Sequence, residues 1–149
     1  MQQYKKSLQQ IGSLIDRIDP GRDDELKAQI AQHICVRLSG VIENAIRENI
    51  SRMIEATSHP RAIRFINKNL ENFQNPKPEK IINLLEQFDK TWAAHITNFW
   101  EPEIKDAIGS IVGQRNLIAH GGSTDVSLVR VINWYKLAKK FCEHLEGMS

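Results

Sequence analysis

The chain has 149 residues, 41% hydrophobic and 26% charged, with 20 Lys and Arg against 18 Asp and Glu, for a formal net charge of +2. That suits one globular domain with a real core, and the mild basicity permits nucleic-acid binding without demanding it. A signal-peptide apolar core, a long basic run and any stretch near the roughly 18 apolar residues of a membrane span are missing from the sequence, which reads as that of a soluble, cytoplasmic protein.

The pattern is helical almost throughout. Residues 4–18 predict a first helix, with Leu8, Ile11, Leu14, Ile15 and Ile18 on one side, and Asp19-Pro20-Gly21 stops it. Asp23, Asp24 and Glu25 suit a helix's first turn, where acids meet the positive dipole end, and this explains them better than a metal cluster. Leu26, Ile30, Ile34, Leu38, Val41, Ile42, Ala45 and Met53 then mark one long amphipathic helix from about 23 to about 57, on the order of 50 Å long. Within it, Ser39 and Gly40 suggest close helix packing, and Glu43 stands one helical turn before Arg47, at ion-pair spacing. Arg37 and Glu43 are also candidates for a supporting role at a functional cleft.

Ser58-His59-Pro60 restarts the chain, with proline suited to a first helical turn. Ile63, Phe65, Ile66 and Leu70 predict a short helix, and residues 73–78 a loop. Pro78 opens the next helix, with Ile81, Leu84, Leu85 and Phe88 inward; Trp92, Ile96, Phe99 and Trp100 either extend it or form a second piece. Pro102 demands a break near Glu101. Residues 103–119 predict another helix, Gly121 its C-terminal stop, residues 122–126 a loop, and Ser127 the N-cap of a last helix striped by Leu128, Val131, Tyr135, Ala138, Cys142 and Leu145. Strand alternation and internal repeats are missing. The expected fold is an all-α bundle in a single domain, 1–149, with about 1–20 as an N-terminal helical extension.

Chemistry concentrates at Arg115-Asn116-Leu117-Ile118-Ala119-His120-Gly121-Gly122. Ile104, Ile108, Ile111, Arg115 and Ile118 share one helix face, so a guanidinium stands where a core residue is expected, and something must sit opposite its charge. An RNA phosphate is one candidate. On an unbroken helix Arg115 and His120 lie about 140° apart; if the helix frays or ends near Ala119, His120 can turn back towards Arg115. The set fits RNA cleavage. Histidine can take a proton from the ribose 2′-hydroxyl or give one to the leaving 5′-oxygen, and arginine can bind the phosphate and stabilise the phosphorane. Asn116 could orient His120 or hold phosphate. The plainer reading is an Arg115 that snorkels to solvent and a His120 that caps a helix end.

The remaining groups offer less. His33, His59, His95 and His144 are isolated, with no metal-ligand spacing. Cys35 and Cys142 are far apart and read as reduced, partly buried thiols. Trp92, Phe99 and Trp100 have helical spacing, which favours core packing over base stacking. No cofactor motif and no metal signature stand out.

The Arg115-Asn116-…-His120 segment resembles the defining motif of the HEPN superfamily: an arginine, usually a polar residue after it, then a histidine four to six positions on. Cys35-Val36-Arg37-Leu38-Ser39-Gly40-Val41-Ile42-Glu43, Phe73-Gln74-Asn75-Pro76, Leu84-Leu85-Glu86-Gln87-Phe88-Asp89 with Trp92, and Ile108-Gly109-Ser110-Ile111-Val112 are similar to the subgroup labelled RiboL-PSP-HEPN. The resemblance covers most of residues 30–145 and leaves the first 20 or so outside. It implies a HEPN-like helical bundle, with a C-terminal helix pair flanking the motif. It also implies a metal-independent endoribonuclease leaving 2′,3′-cyclic phosphate and 5′-hydroxyl ends, with Arg115, Asn116 and His120 catalytic and no cofactor. A homodimer with a composite cleft, RNA as substrate, and a toxin, phage-defence or RNA-processing role, with an antitoxin as possible protein partner, complete the expectation. The alternatives are a non-catalytic HEPN-type RNA- or protein-binding module, or a structural oligomerisation domain in which Arg115 belongs to a buried ion pair.

Overall fold

A computed structural model describes residues 2–21, 23–122 and 125–149. Among them run seven helices and no strand: α1 (Gln3–Asp16), α2 (Asp24–Glu55), α3 (Pro60–Leu70), α4 (Pro78–Phe88), α5 (Lys90–Phe99), α6 (Pro102–Ala119) and α7 (Leu128–Glu146). The all-α expectation holds. The expected loop at 122–126 includes Ser123 and Thr124, which lie outside the described residues.

Each boundary has a local cause. The Asp23 carboxylate accepts the Leu26 N–H at 2.8 Å and caps α2. Pro60, Pro78 and Pro102 each open a helix, where a missing N–H costs nothing. Asp89 settles the choice at Trp92: its backbone is extended (φ −163°, ψ 122°), so α4 ends there, and its side chain accepts the Thr91 N–H at 2.7 Å to start α5 as a separate helix. Ser127 caps α7 by accepting from Arg130 N at 3.2 Å.

The long helix α2 is the axis of the bundle and packs against α1, α3, α6 and α7. Ile34, Leu38, Ile42, Ile46 and Ile50 are fully enclosed along it. Contacts at its ends set the directions of its neighbours. Gln3 and Tyr4 of α1 donate their backbone N–H groups to Glu48, whereas Gln10 meets Arg37, so α1 runs antiparallel to α2. The Arg52 guanidinium donates to the carbonyls of Leu145, Glu146 and Met148 at 2.9–3.3 Å, so α7 runs parallel to α2 and ends beside it. Trp100, at the entry of α6, stacks on Phe141 near the end of α7 at 5.2 Å, and α6 therefore runs back against both. The last turns of α1 and α6 and the first turns of α2 and α7 thus share one end of the bundle.

The pair Glu43–Arg47 forms as its spacing predicts, at 3.4 Å. Glu43 also accepts from Asn75 N at 3.3 Å, and Arg47 donates to the Glu71 and Phe73 carbonyls, so the pair holds the loop after α3. Close packing explains only half of Ser39-Gly40: Ser39 is buried, but a Cβ on Gly40 would meet nothing within 4 Å. Phe65, one of the apolar residues of α3, is 71% exposed. Trp92, Phe99 and Trp100 pack against the core as half-buried side chains.

Cys35 and Cys142 are unpaired and buried. Burial pushes the Cys35 thiol up to about 11; burial, helped by the charge of Glu143, pushes Cys142 up to about 12, from an ordinary 9.0. Because the folded values lie above the unfolded one, the thiols favour folding fully below pH 9. That contribution is lost as pH climbs from there through the folded values. The urea midpoint should therefore fall more steeply between pH 9 and pH 11 in the parent than in a Cys35→Ala/Cys142→Ala variant. Equal slopes would contradict the burial argument.

Candidate functional site

The core face of α6 runs out before its motif begins. Ile104, Ala107, Ile108, Ile111 and Val112 are buried, and from Gly113 to Gly122 no residue is. The last two turns of α6 are only partly covered, with Ile118 still packed against the core, while the turns before them are locked in; the Cys35 thiol, for example, reaches the Ile111 carbonyl at 3.5 Å. Arg115 continues the stripe in register, but it stands past the point where the stripe is fully covered.

Its side chain is half-buried, with Nη1 donating to the Asn116 side-chain oxygen at 3.4 Å. That acceptor is neutral, and among the described residues no carboxylate pairs with Arg115. A part-buried guanidinium with an uncancelled charge is the group that an anion would satisfy. Asn116 therefore serves Arg115 through its side chain and His120 through its backbone, since its carbonyl accepts the His120 N–H at 3.1 Å.

His120 is exposed and is the C-cap of α6, at φ −93° and ψ 12°. The helix ends cleanly rather than by fraying. Gly122 N donates to Leu117 O at 2.8 Å and Gly121 N to Ile118 O at 3.1 Å, the double closure that a left-handed residue allows, and Gly121 has φ 71°. The helix thus ends at Ala119, and His120 stands at its C-cap. Its backbone still completes the helical bond to Asn116, so the offset of about 140° is retained. Among the described residues no contact joins the two side chains.

The other candidates lie elsewhere. Arg37 turns to α1, where Nη2 donates to Gln10 Oε1 at 2.7 Å, and Glu43 is engaged by Arg47 and Asn75. His59 caps α3, its Nδ1 accepting from Arg61 N at 3.1 Å. His144 stacks on Phe99 with centroids 4.0 Å apart, and burial lowers its pKa from 6.5. Among the described residues no group of three or more His, Cys, Asp or Glu could hold a metal ion. Sequence reading missed two exposed apolar side chains and an open glycine. Leu117 on α6 is 46% exposed, Val36 on α2 is 40% exposed, and a Cβ on Gly113 would meet nothing within 4 Å. Only the endpoint of the α6 core face could have signalled them.

The family model RiboL-PSP-HEPN matches residues 1–148. The chain belongs to the RiboL-PSP-HEPN family. The match takes in α1, which lies outside the segments that carry the resemblance in sequence, and Tyr4, Leu8 and Ile11 of α1 are part of the common core. HEPN membership points to a nuclease or an RNA-binding module, and HEPN domains often dimerise. No curated protein and no solved structure gives a significant match. Among the described residues, no helix of this HEPN domain is long and apolar enough to cross a membrane.

The glycine stop makes a direct prediction. An alanine at position 121 must adopt the left-handed conformation or undo the closure. Gly121→Ala should lower unfolding stability by about 1–2 kcal/mol; urea unfolding checks it, and a loss below about 0.3 kcal/mol would contradict the strict need for positive φ.

Proposed function

We propose that this HEPN domain is a metal-independent endoribonuclease acting as a homodimer, with Arg115, Asn116 and His120 as its catalytic residues. The observation that carries the reading is the half-buried Arg115 guanidinium, held by a neutral amide and uncancelled by any carboxylate among the described residues, five residues before an exposed histidine.

The chemistry follows from those groups. A histidine takes the proton of a ribose 2′-hydroxyl, whose oxygen attacks the adjacent phosphorus. The P–O5′ bond breaks, and a second proton donor supplies the leaving oxygen. The products are a 2′,3′-cyclic phosphate and a 5′-hydroxyl. Arginine neutralises the phosphorane, whose charge exceeds that of the ground state, and so binds the transition state more strongly than the substrate. Asn116 fixes the guanidinium plane.

Within one chain the motif sets these groups apart, because His120 leaves α6 about 140° around the axis from Arg115. A second copy across a twofold axis supplies another arginine and another histidine. The stripe of Ile104, Ile108 and Ile111 is enclosed in the protomer's own core and is not open to a partner. The interface is better served by Leu117 and Gly113 on α6 and by Val36 and Gly40 on α2, each pair one turn apart and exposed or open. A toxin, phage-defence or RNA-processing role, with an antitoxin as protein partner, accords with such an activity.

The separation of His120 from Arg115 within one chain favours, as a second reading, a binding module that uses the arginine alone. Cleavage assays in EDTA separate the two. The parent should cut RNA without metal and leave cyclic-phosphate ends, and Arg115→Ala and His120→Ala should each lose about 10²–10⁴-fold in rate. Cleavage by both variants at the parent rate would overturn the catalytic reading; RNA binding without cleavage by the parent would establish the module.

A further inference from the structure

A cavity of about 710 Å³ lies between α1 and α2, away from the α6 face of α2. Its polar lining is unusual for the seam between two bundle helices. Lys6 and Arg17 come from the α1 side, His33 and Arg37 from α2, and among the described residues no carboxylate lines it. The hydrogen bonds that hold the guanidiniums use neutral acceptors: Arg17 Nε donates to Ser13 O at 3.3 Å, and Arg37 to Gln10 Oε1 at 2.7 Å. Among the described residues neither arginine nor Lys6 forms an ion pair. Cations of like sign on facing helices repel, at a cost that an intervening anion removes.

We propose that this groove binds the phosphodiester backbone of a single RNA strand, at a site separate from the Arg115–His120 motif. The inference rests on the reading that RNA is the ligand, and it adds where the strand lies. Three features select a strand over a single phosphate. From Lys6 to Arg17 the helix rises about 16 Å, at about 1.5 Å per residue, so the cations form a row and not a nest. The amide and hydroxyl groups of Gln9, Gln10 and Ser13 are spaced along the same face and suit sugar and phosphate oxygens more than base edges. The groove also runs, through Arg17 and His33, towards the end of the bundle where α6 delivers Arg115 and His120. A strand seated in the groove is thereby directed past α2 to the motif.

The test uses fluorescein-labelled single-stranded RNA and the full chain carrying His120→Ala, so that binding is read without cleavage. Adding Arg17→Gln and Arg37→Gln should weaken binding about tenfold at low salt and reduce the log–log salt slope by about 1.4, the release expected of two single-strand phosphates. Arg17→Lys with Arg37→Lys should restore the slope. Should the glutamine pair fail to fold, Lys6→Gln should weaken binding in the same direction and reduce the slope by about 0.7. Unchanged affinity and slope in a folded variant would overturn the proposal. So would saturable binding of inorganic phosphate that the substitutions abolish while RNA affinity stays the same, which would assign the groove to a free phosphate. The nuclease reading fails separately: a parent that never cleaves, yet loses RNA affinity with the groove substitutions, leaves the groove standing.

Discussion

The burial of Ile34, Leu38, Ile42, Ile46 and Ile50 along α2 positions α1, α3, α6 and α7 around a single axis. Each of those side chains leaves water only if neighbours cover α2 on several sides, and burial of each is worth about 1.5–3 kcal/mol. The helices that supply this cover are then fixed in direction by polar contacts near the C-terminal end of α2: Glu48 holds the start of α1, and Arg52 holds the last carbonyls of α7. With α6 running back between α2 and α7, its C-terminus must arrive at the end where α2 begins. The location of the motif is thus a consequence of core burial far from it.

The same constraint explains why Arg115 is only half-buried. A long helix is covered only as far as its neighbours reach, and after Val112 the cover on α6 is partial, with Ile118 still touching the core. Its stripe continues in register through Arg115 to Ile118, but the last members are no longer enclosed. An arginine here avoids the desolvation that a closed core would impose and keeps enough cover to hold its guanidinium in place. The uncancelled charges at Arg115 and in the α1–α2 groove share one logic. Both sit where the packed core ends, and both use neutral amides to orient a cation without neutralising it.

Much of the fold was legible in periodicity and punctuation. The long α2, the proline starts of α3, α4 and α6, the Ser127 cap and the Gly121 stop follow from local chemistry that a sequence states openly. Sequence left open whether Trp92 extends α4, because the answer depended on the extended backbone at Asp89. In the site, the residue types of the motif were plain, but their relation was not. Spacing could not say that Gly121 and Gly122 would close the helix so tightly that the His120 backbone keeps its helical bond to Asn116. Nor could it say that Arg37 would turn to Gln10 of α1, since that choice depends on which face of α2 meets which helix. What periodicity cannot reveal is where a buried face stops being covered, and the candidate site lies at such a place.

The central claim is that two copies of this chain share one cleft in which Arg115 and His120 act together. It is tested most directly by mixing protomers that each lack one of the two. Arg115→Ala and His120→Ala protomers, each inactive alone, should regain measurable RNA cleavage when refolded together, because the mixed dimer holds one intact arginine and one intact histidine. Native mass spectrometry establishes that the mixed dimer has formed. A mixed dimer no more active than either variant alone would contradict the shared cleft.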